Sequence, residues 1–312
     1  MDSARLLLLI AVASLGGAAA ADDHLVFSNY TCSAPGNYTS NSPYARNLAR
    51  LLAPLSRPAA VDNWLFHQIT VYGTTTPDDQ ASGLAMCFAD SAPDRCRTCL
   101  ATVSSAHALF PACDHSRNVS FISSDGCVIR YAAGGVTPFF VSSAADDASG
   151  ARLVLRSRTQ AADAAAMRDA RRVLLSRLAE SAAGDDDRRF AAGNQGYMDA
   201  AGRGTWQVIY GMAQCTRDLP PAECSGCLLD HLSVMYRDAS VTNSTEASVM
   251  GLTCYLTYQM NKPIHIAGVA LPPAAQPSET PTGSAPPPPV VKTTVLIAAL
   301  AAAAVTLFSV GV

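Results

Sequence analysis

The chain has 312 residues, ten cysteines, a formal net charge of −3 and an isoelectric point near 6.0. That balance leaves no basic face for nucleic acid. Once the two ends are set aside, the length suits two domains of ordinary size.

Residues 1–21 read as a secretory signal peptide. Arg5 precedes an apolar run from Leu6 to Leu15, and small residues continue to Ala20. The run is too short to span a bilayer, and export makes disulfides chemically permissible. The first folded unit then opens with a helical stripe of Tyr44, Leu48, Leu51, Leu52 and Leu55. Strand signals follow at Gln68–Tyr72 and Gly83–Phe88. A second helix starts after Pro93 and carries Cys96, Cys99, Leu100 and Val103. Ser120–Ile122 and Cys127–Tyr131 read as a closing strand pair. Val141–Gly150, rich in Ser, Ala and Asp, is expected to be a linker or surface loop.

The same order then repeats. Met167, Ala170, Leu174, Leu175 and Leu178 form a second stripe, with Arg and Asp expected on its opposite, solvent-facing side. Thr205–Tyr210 runs toward Cys215, a helix follows Pro220-Pro221, and Thr253–Tyr258 closes the unit. Two helices beside short, locally connected strands imply an α+β unit with an antiparallel sheet in each copy.

Beyond these units, Pro272–Pro289 forms a Pro/Ser/Thr/Ala stretch within a stalk spanning residues 267–292. Residues 293–312 carry no charge and as a helix would rise ~30 Å, enough to cross the hydrocarbon layer. No Lys or Arg follows them, and Gly283-Ser284-Ala285 precede them. This layout matches a glycolipid (GPI) attachment signal better than a spanning helix, with Gly283 or Ser284 as the attachment point. In both cases the chain is expected at the plasma membrane, facing outward.

The duplication is written most clearly in cysteine. Cys87-x8-Cys96-x2-Cys99 recurs as Cys215-x8-Cys224-x2-Cys227, and Cys127 corresponds to Cys254. The second copy lacks counterparts of Cys32 and Cys113 together, which is what a Cys32–Cys113 bridge predicts, and leaves the second unit the looser of the two. Three pairings are open to the remaining four cysteines of each copy. The set Cys87–Cys96 with Cys99–Cys127, matched by Cys215–Cys224 with Cys227–Cys254, ties two strands to one helix, because cysteines three apart share a helix face. The six histidines include no H-x3–5-H pair to complete a zinc site, so no metal is expected. An even cysteine count argues for paired thiols rather than a catalytic nucleophile.

Four sequons, at Asn29, Asn37, Asn118 and Asn243, suit a glycosylated exterior. Asp185-Asp186-Asp187, flanked by Gly184 and Arg188-Arg189, reads as a solvated loop rather than a calcium site, which needs more widely spaced oxygens. Trp64, Trp206, Tyr72 and Tyr210 could stack on sugars if exposed, although aromatics in strand-like runs normally pack into a core.

The doubled cysteine string, followed by Gly126–Tyr131 (GCVIRY) and Thr253–Tyr258 (TCYLTY), resembles the plant Gnk2-homologous, cysteine-rich repeat (DUF26) domain. The resemblance covers residues 24–136 and 138–266 as two tandem domains. With the signal peptide, the membrane segment and no kinase, the arrangement is similar to plasmodesmata-located proteins and cysteine-rich repeat secretory proteins. It implies a two-helix, antiparallel-sheet fold with the disulfide set given above and two domains packed side by side. It further implies roles in cell-to-cell transport, callose deposition and defence signalling. A mannose-binding antifungal member of the family uses Asn, Arg and Glu at three places. Here Ser33, Phe121 and Ala132 stand in them, and Ser248 and Gln259 stand in the two identifiable places of the second copy. Mannose binding through that triad is therefore not expected.

The function expected is a non-enzymatic, membrane-anchored extracellular binding or scaffold protein without a cofactor. Its expected partners are the plasma membrane and cell-surface proteins, either receptor-like proteins or a second copy of itself. The alternative is a secreted carbohydrate-binding antifungal protein with cell-wall polysaccharide as its partner.

Overall fold

The computed structural model describes residues 27–33, 38–56, 66–73, 76–104, 113–134, 152–201 and 204–266. The signal peptide, the Val141–Gly150 linker, the stalk and the C-terminal apolar segment lie outside the described residues, as do Asn37, Trp64, Gly283 and Ser284. Among the described residues no helix is long and apolar enough to cross a membrane.

The first repeat contains β1 (Ser28–Ser33), α1 (Pro43–Leu55), β2 (Phe66–Val71), β3 (Ala81–Cys87), α2 (Pro93–Ser104), β4 (Asn118–Ser123) and β5 (Cys127–Ala133). The second contains β6 (Leu153–Arg156), α3 (Ala164–Gly184), β7 (Phe190–Asp199), β8 (Thr205–Cys215), α4 (Pro221–Arg237), β9 (Glu246–Met250) and β10 (Cys254–Met260). Each set of strands forms a five-stranded antiparallel sheet, in the orders β1-β4-β5-β3-β2 and β6-β9-β10-β8-β7. These are the same permutation, so the duplication extends from the cysteines to the whole topology. Two α+β domains result.

Local chemistry sets the helix starts. Ser42 accepts the Ala45 amide at 3.1 Å ahead of Pro43, and Asp163 accepts the Ala166 amide at 3.0 Å. Both side chains satisfy amides that have no partner within the helix. Both apolar stripes then pack on their sheets at close range. A Cβ placed on Gly83 would lie 2.9 Å from Leu55 Cδ1 and 3.0 Å from the Arg130 carbonyl. One on Gly211 would lie 2.9 Å from Leu175 Cδ2. Glycine occurs there because the helix needs that space.

Arg171 departs from expectation. Its guanidinium is fully buried rather than solvent-facing. It donates to Tyr258 Oη at 2.6 Å and stacks over the rings of Tyr236 and Tyr258 at 4.7 and 4.9 Å. Aromatic faces and a hydroxyl take the place of the missing carboxylate, which makes burial of the cation tolerable.

Each sheet carries its helices on one face and turns the other toward the opposite repeat. Met86, Ile122 and Val128 of the first sheet share one apolar cluster with Phe190, Met212, Met250 and Tyr255 of the second, and Phe88 joins from the loop after β3. Burial on both faces explains why every residue of β3 is buried. Polar groups close the same joint. The Tyr255 hydroxyl donates to Asp90 Oδ2 at 2.7 Å. Gln214 accepts the Ala89 amide at 3.0 Å and donates to the Cys87 carbonyl at 3.3 Å. Asp218 is the counterpart of Asp90, but the residue matching Tyr255 is Val128, which has no donor. Both Asp218 oxygens are without a hydrogen-bond partner among the described residues.

Burial at the joint pushes the Asp90 carboxyl up to about 6, against the lowering effect of its hydrogen bond from Tyr255. A raised acid favours the protonated form, so this contribution is complete below its unfolded value near 3.8 and fades as the pH rises through 6. Asp90→Asn should therefore nearly match the parent in urea unfolding at pH 4 and exceed it by roughly 2–3 kcal/mol at pH 7.5. A pH-independent difference between the two proteins would refute the assignment.

Candidate functional site

Five disulfides join Cys32–Cys113, Cys87–Cys96, Cys99–Cys127, Cys215–Cys224 and Cys227–Cys254, and no described cysteine is free. Their placement follows from strand register. Cys87 and Cys127 lie directly opposite each other on β3 and β5, as do Cys215 and Cys254 on β8 and β10. Opposed residues in an antiparallel pair point to the same face. Each nevertheless bonds to the helix above it, through Cys96 and Cys99 or through Cys224 and Cys227.

Among the described residues, the nearest approach to a metal site is Cys227, His231 and Cys254, all buried, with their ligand atoms mutually within 4.8 Å. The two sulfurs are bonded to each other, so neither offers the thiolate that a zinc ion would require. His231 Nδ1 stands 3.4 Å from Cys254 Sγ, and the ring also hydrogen-bonds the Val249 backbone. Burial, reinforced by Arg152, lowers its pKa to about 3, so the ring is neutral at mildly acidic pH. In the cysteine alignment it corresponds to Val103 of the first copy. The Asp cluster is likewise engaged locally. Asp185 accepts the amides of Asp187 and Arg188, and Asp186 pairs with Arg189 at 3.0 Å.

The places of the mannose triad do not assemble a polar pocket. Phe121 is in the first core, Ser248 Oγ lies 2.7 Å from Thr257 Oγ1, and Gln259 donates to the Lys262 carbonyl. Ala132 is a half-buried residue of β5, and Ser33 ends β1 opposite Asn118. Of the aromatics, Trp206 is half-buried over Gly196, Tyr210 packs against the joint, and Tyr72 is 73% exposed. Tyr72 thus stands outside the core expected for it, because it lies one residue past the end of β2.

Of the sequons, Asn29 lies half-exposed in β1. Asn118 Oδ1 accepts the Ala133 amide at 3.2 Å, and Asn243 Oδ1 accepts from Arg168 at 2.8 Å. Occupancy of these three remains a proposal that their partial exposure supports.

Sequence reading missed the open edge of the second sheet. β6 places Leu153 and Leu155 against the joint and turns Val154 and Arg156 outward. Beside it runs a groove of about 530 Å³, which Phe27 and Ser124 of the first repeat help to line. The alternation Arg152, Val154, Arg156, Arg158 was the available signal.

Comparison with known proteins places these features in a family. The family model described as salt stress response/antifungal matches residues 31–134 and 156–261, more than half of the chain. Cysteine-rich receptor-like protein kinase 10 of Oryza sativa subsp. japonica is 28% identical over 232 residues, covering 73% of this chain and 33% of that protein. Cysteine-rich repeat secretory protein 38 of Arabidopsis thaliana is 26% identical over 194 residues, covering 62% of this chain and 68% of that protein. The chain therefore spans about a third of the length of the receptor-like kinases it matches. In fold, it is similar to the crystallised tandem DUF26 ectodomain of the Arabidopsis thaliana cysteine-rich receptor-like protein PDLP5. The TM-score is 0.50 at 20% identity, over 75% of this chain and 98% of that one. The chain belongs to the salt stress response/antifungal (Gnk2-homologous, DUF26) family and carries two tandem copies of its domain.

Proposed function

We propose that this chain is a non-enzymatic, extracellular binding or scaffold protein, held at the outer membrane surface by its C-terminal segment and acting at plasmodesmata on cell-to-cell transport, callose deposition and defence signalling. The observation that carries the reading is the joint. Two disulfide-bonded domains share one apolar cluster and present their remaining surface as a single body. Two buried groups of the kind that serve catalysis are engaged structurally, Asp90 with Tyr255 and His231 with Val249. The similarity to secretory and receptor-like relatives supports an exterior setting.

The location can be tested with a fluorescent domain inserted after the signal peptide in plant epidermal cells. Paired puncta coinciding with callose are expected, whereas an even distribution along the wall or retention in the secretory pathway would overturn the plasmodesmal reading. The anchor can be tested by mass spectrometry of the mature C-terminus. A glycolipid on Gly283 or Ser284 is expected, and recovery of an intact 293–312 peptide would replace it with a spanning helix.

A further inference from the structure

We infer that the groove along the open edge of β6 is a binding site for an acidic oligosaccharide, one whose sugars carry carboxylates. The inference rests on the reading of the chain as an exterior binding module and names a ligand class for it. Arg156 also borders an adjoining pocket that holds Glu246 and Ser248, but neither Ser248 nor Gln259 lines the groove.

Its lining holds three arginines, Arg152, Arg156 and Arg158, and no carboxylate. Arg152 is nearly buried and held by Asp230 at 2.6 Å, which gives one end of the groove a fixed guanidinium. Arg156 and Arg158 are exposed, and their guanidinium groups make no hydrogen bond or ion pair among the described residues. The charge of Arg156 reaches Asp238, but the Asp238 carboxylate already accepts the hydroxyl and amide of Ser240 at 2.6 and 2.8 Å. Two guanidinium forks therefore remain available for bidentate bonds to carboxylates.

Alternate residues of a strand stand roughly 6.8 Å apart on one face, a step on the order of one sugar residue. Phe27, 48% exposed, supplies a flat apolar face across the groove. An aromatic face beside charged donors suits a ring with apolar C–H bonds on one side and an anion on its rim. A flexible acidic peptide matches the arginines but makes less use of the ring, and it would have to order its backbone against a strand of only four residues.

The register explains why these groups are free. Cys32 pairs with Val119, which pairs with Tyr131; in the second repeat Arg156 pairs with Ala247, itself opposite Tyr258. Arg156 thus occupies the position that the edge disulfide occupies in the first repeat. The second repeat has a cation where the first has a bridge.

The test is calorimetric titration of the full chain, purified in detergent, with α-1,4-linked oligogalacturonate and, separately, with its methyl ester. Binding of the acid is expected, with affinity falling about tenfold in the ester, in 0.5 M salt, and in Arg156→Ala/Arg158→Ala. Phe27→Ala should weaken it severalfold, while Arg95→Ala/Arg97→Ala on α2 should leave it unchanged. Circular dichroism and the unfolding midpoint confirm that each variant is folded, and Arg158→Glu alone serves if the double variant is not. Absence of binding at millimolar acid, equal binding of the ester or of poly-glutamate, or full affinity in the folded arginine variants would overturn the site. An even distribution of the chain along the wall would remove the plasmodesmal role and leave this site standing.

Discussion

In each repeat two neighbouring strands and one helix are bonded at a single level, and the rest of the domain is arranged around that attachment. Opposed cysteines on the two central strands both point at the helix, whose own cysteines lie one turn apart. The attachment places α2 or α4 over one half of its sheet. The other half is left to α1 or α3, whose leucines descend onto Gly83 or Gly211. Covalent bonding reduces the freedom of the unfolded chain, and the glycines allow the close approach that makes the native packing dense.

The fixed helix layer also determines what the opposite sheet face must do. With both helices on one side, the other side carries Met86, Ile122 and Val128 in one repeat and Met212, Met250 and Tyr255 in the other. A domain of this size exposing such a face would carry a large apolar patch. Tandem duplication supplies the cover, and Asp90, Tyr255 and Gln214 give the contact a specific register by requiring that each buried polar group meet its partner.

Much of this was legible from residues alone. The stripes, the central strands, the cysteine correspondence and the α+β class follow from periodicity and spacing. Four strands did not. β1 is a polar edge strand held by Cys32 and β4. β7 holds two Ala and two Gly, which blur any apolar alternation, and Gly196 is small because a Cβ there would collide with the Trp206 ring. β6 and β9 have only four and five residues, too few for an alternation to stand out. The groove was illegible for a different reason. It requires Phe27 and β6, far apart in the chain, to meet at the joint, and no spacing within one repeat encodes that meeting.

The two repeats solve one edge problem in different ways. In the first, β1 is pinned covalently by Cys32–Cys113. In the second, the matching strand β6 is held by Leu153 and Leu155 in the joint and by the Arg152–Asp230 pair, with side chains 9% and 27% exposed. A half-buried ion pair contributes less than a disulfide, which fits a second repeat without its third bridge. Other contacts offset that loss. α3 extends for 21 residues against 13 in α1, and Arg189 clamps its end by donating to the carbonyls of Ala183 and Leu219. The missing bridge therefore bears on the edge strand alone, the element that presents arginines to solvent. The absent bridge and the cationic groove meet at one position, because Arg156 stands on its edge strand where Cys32 stands in the first repeat.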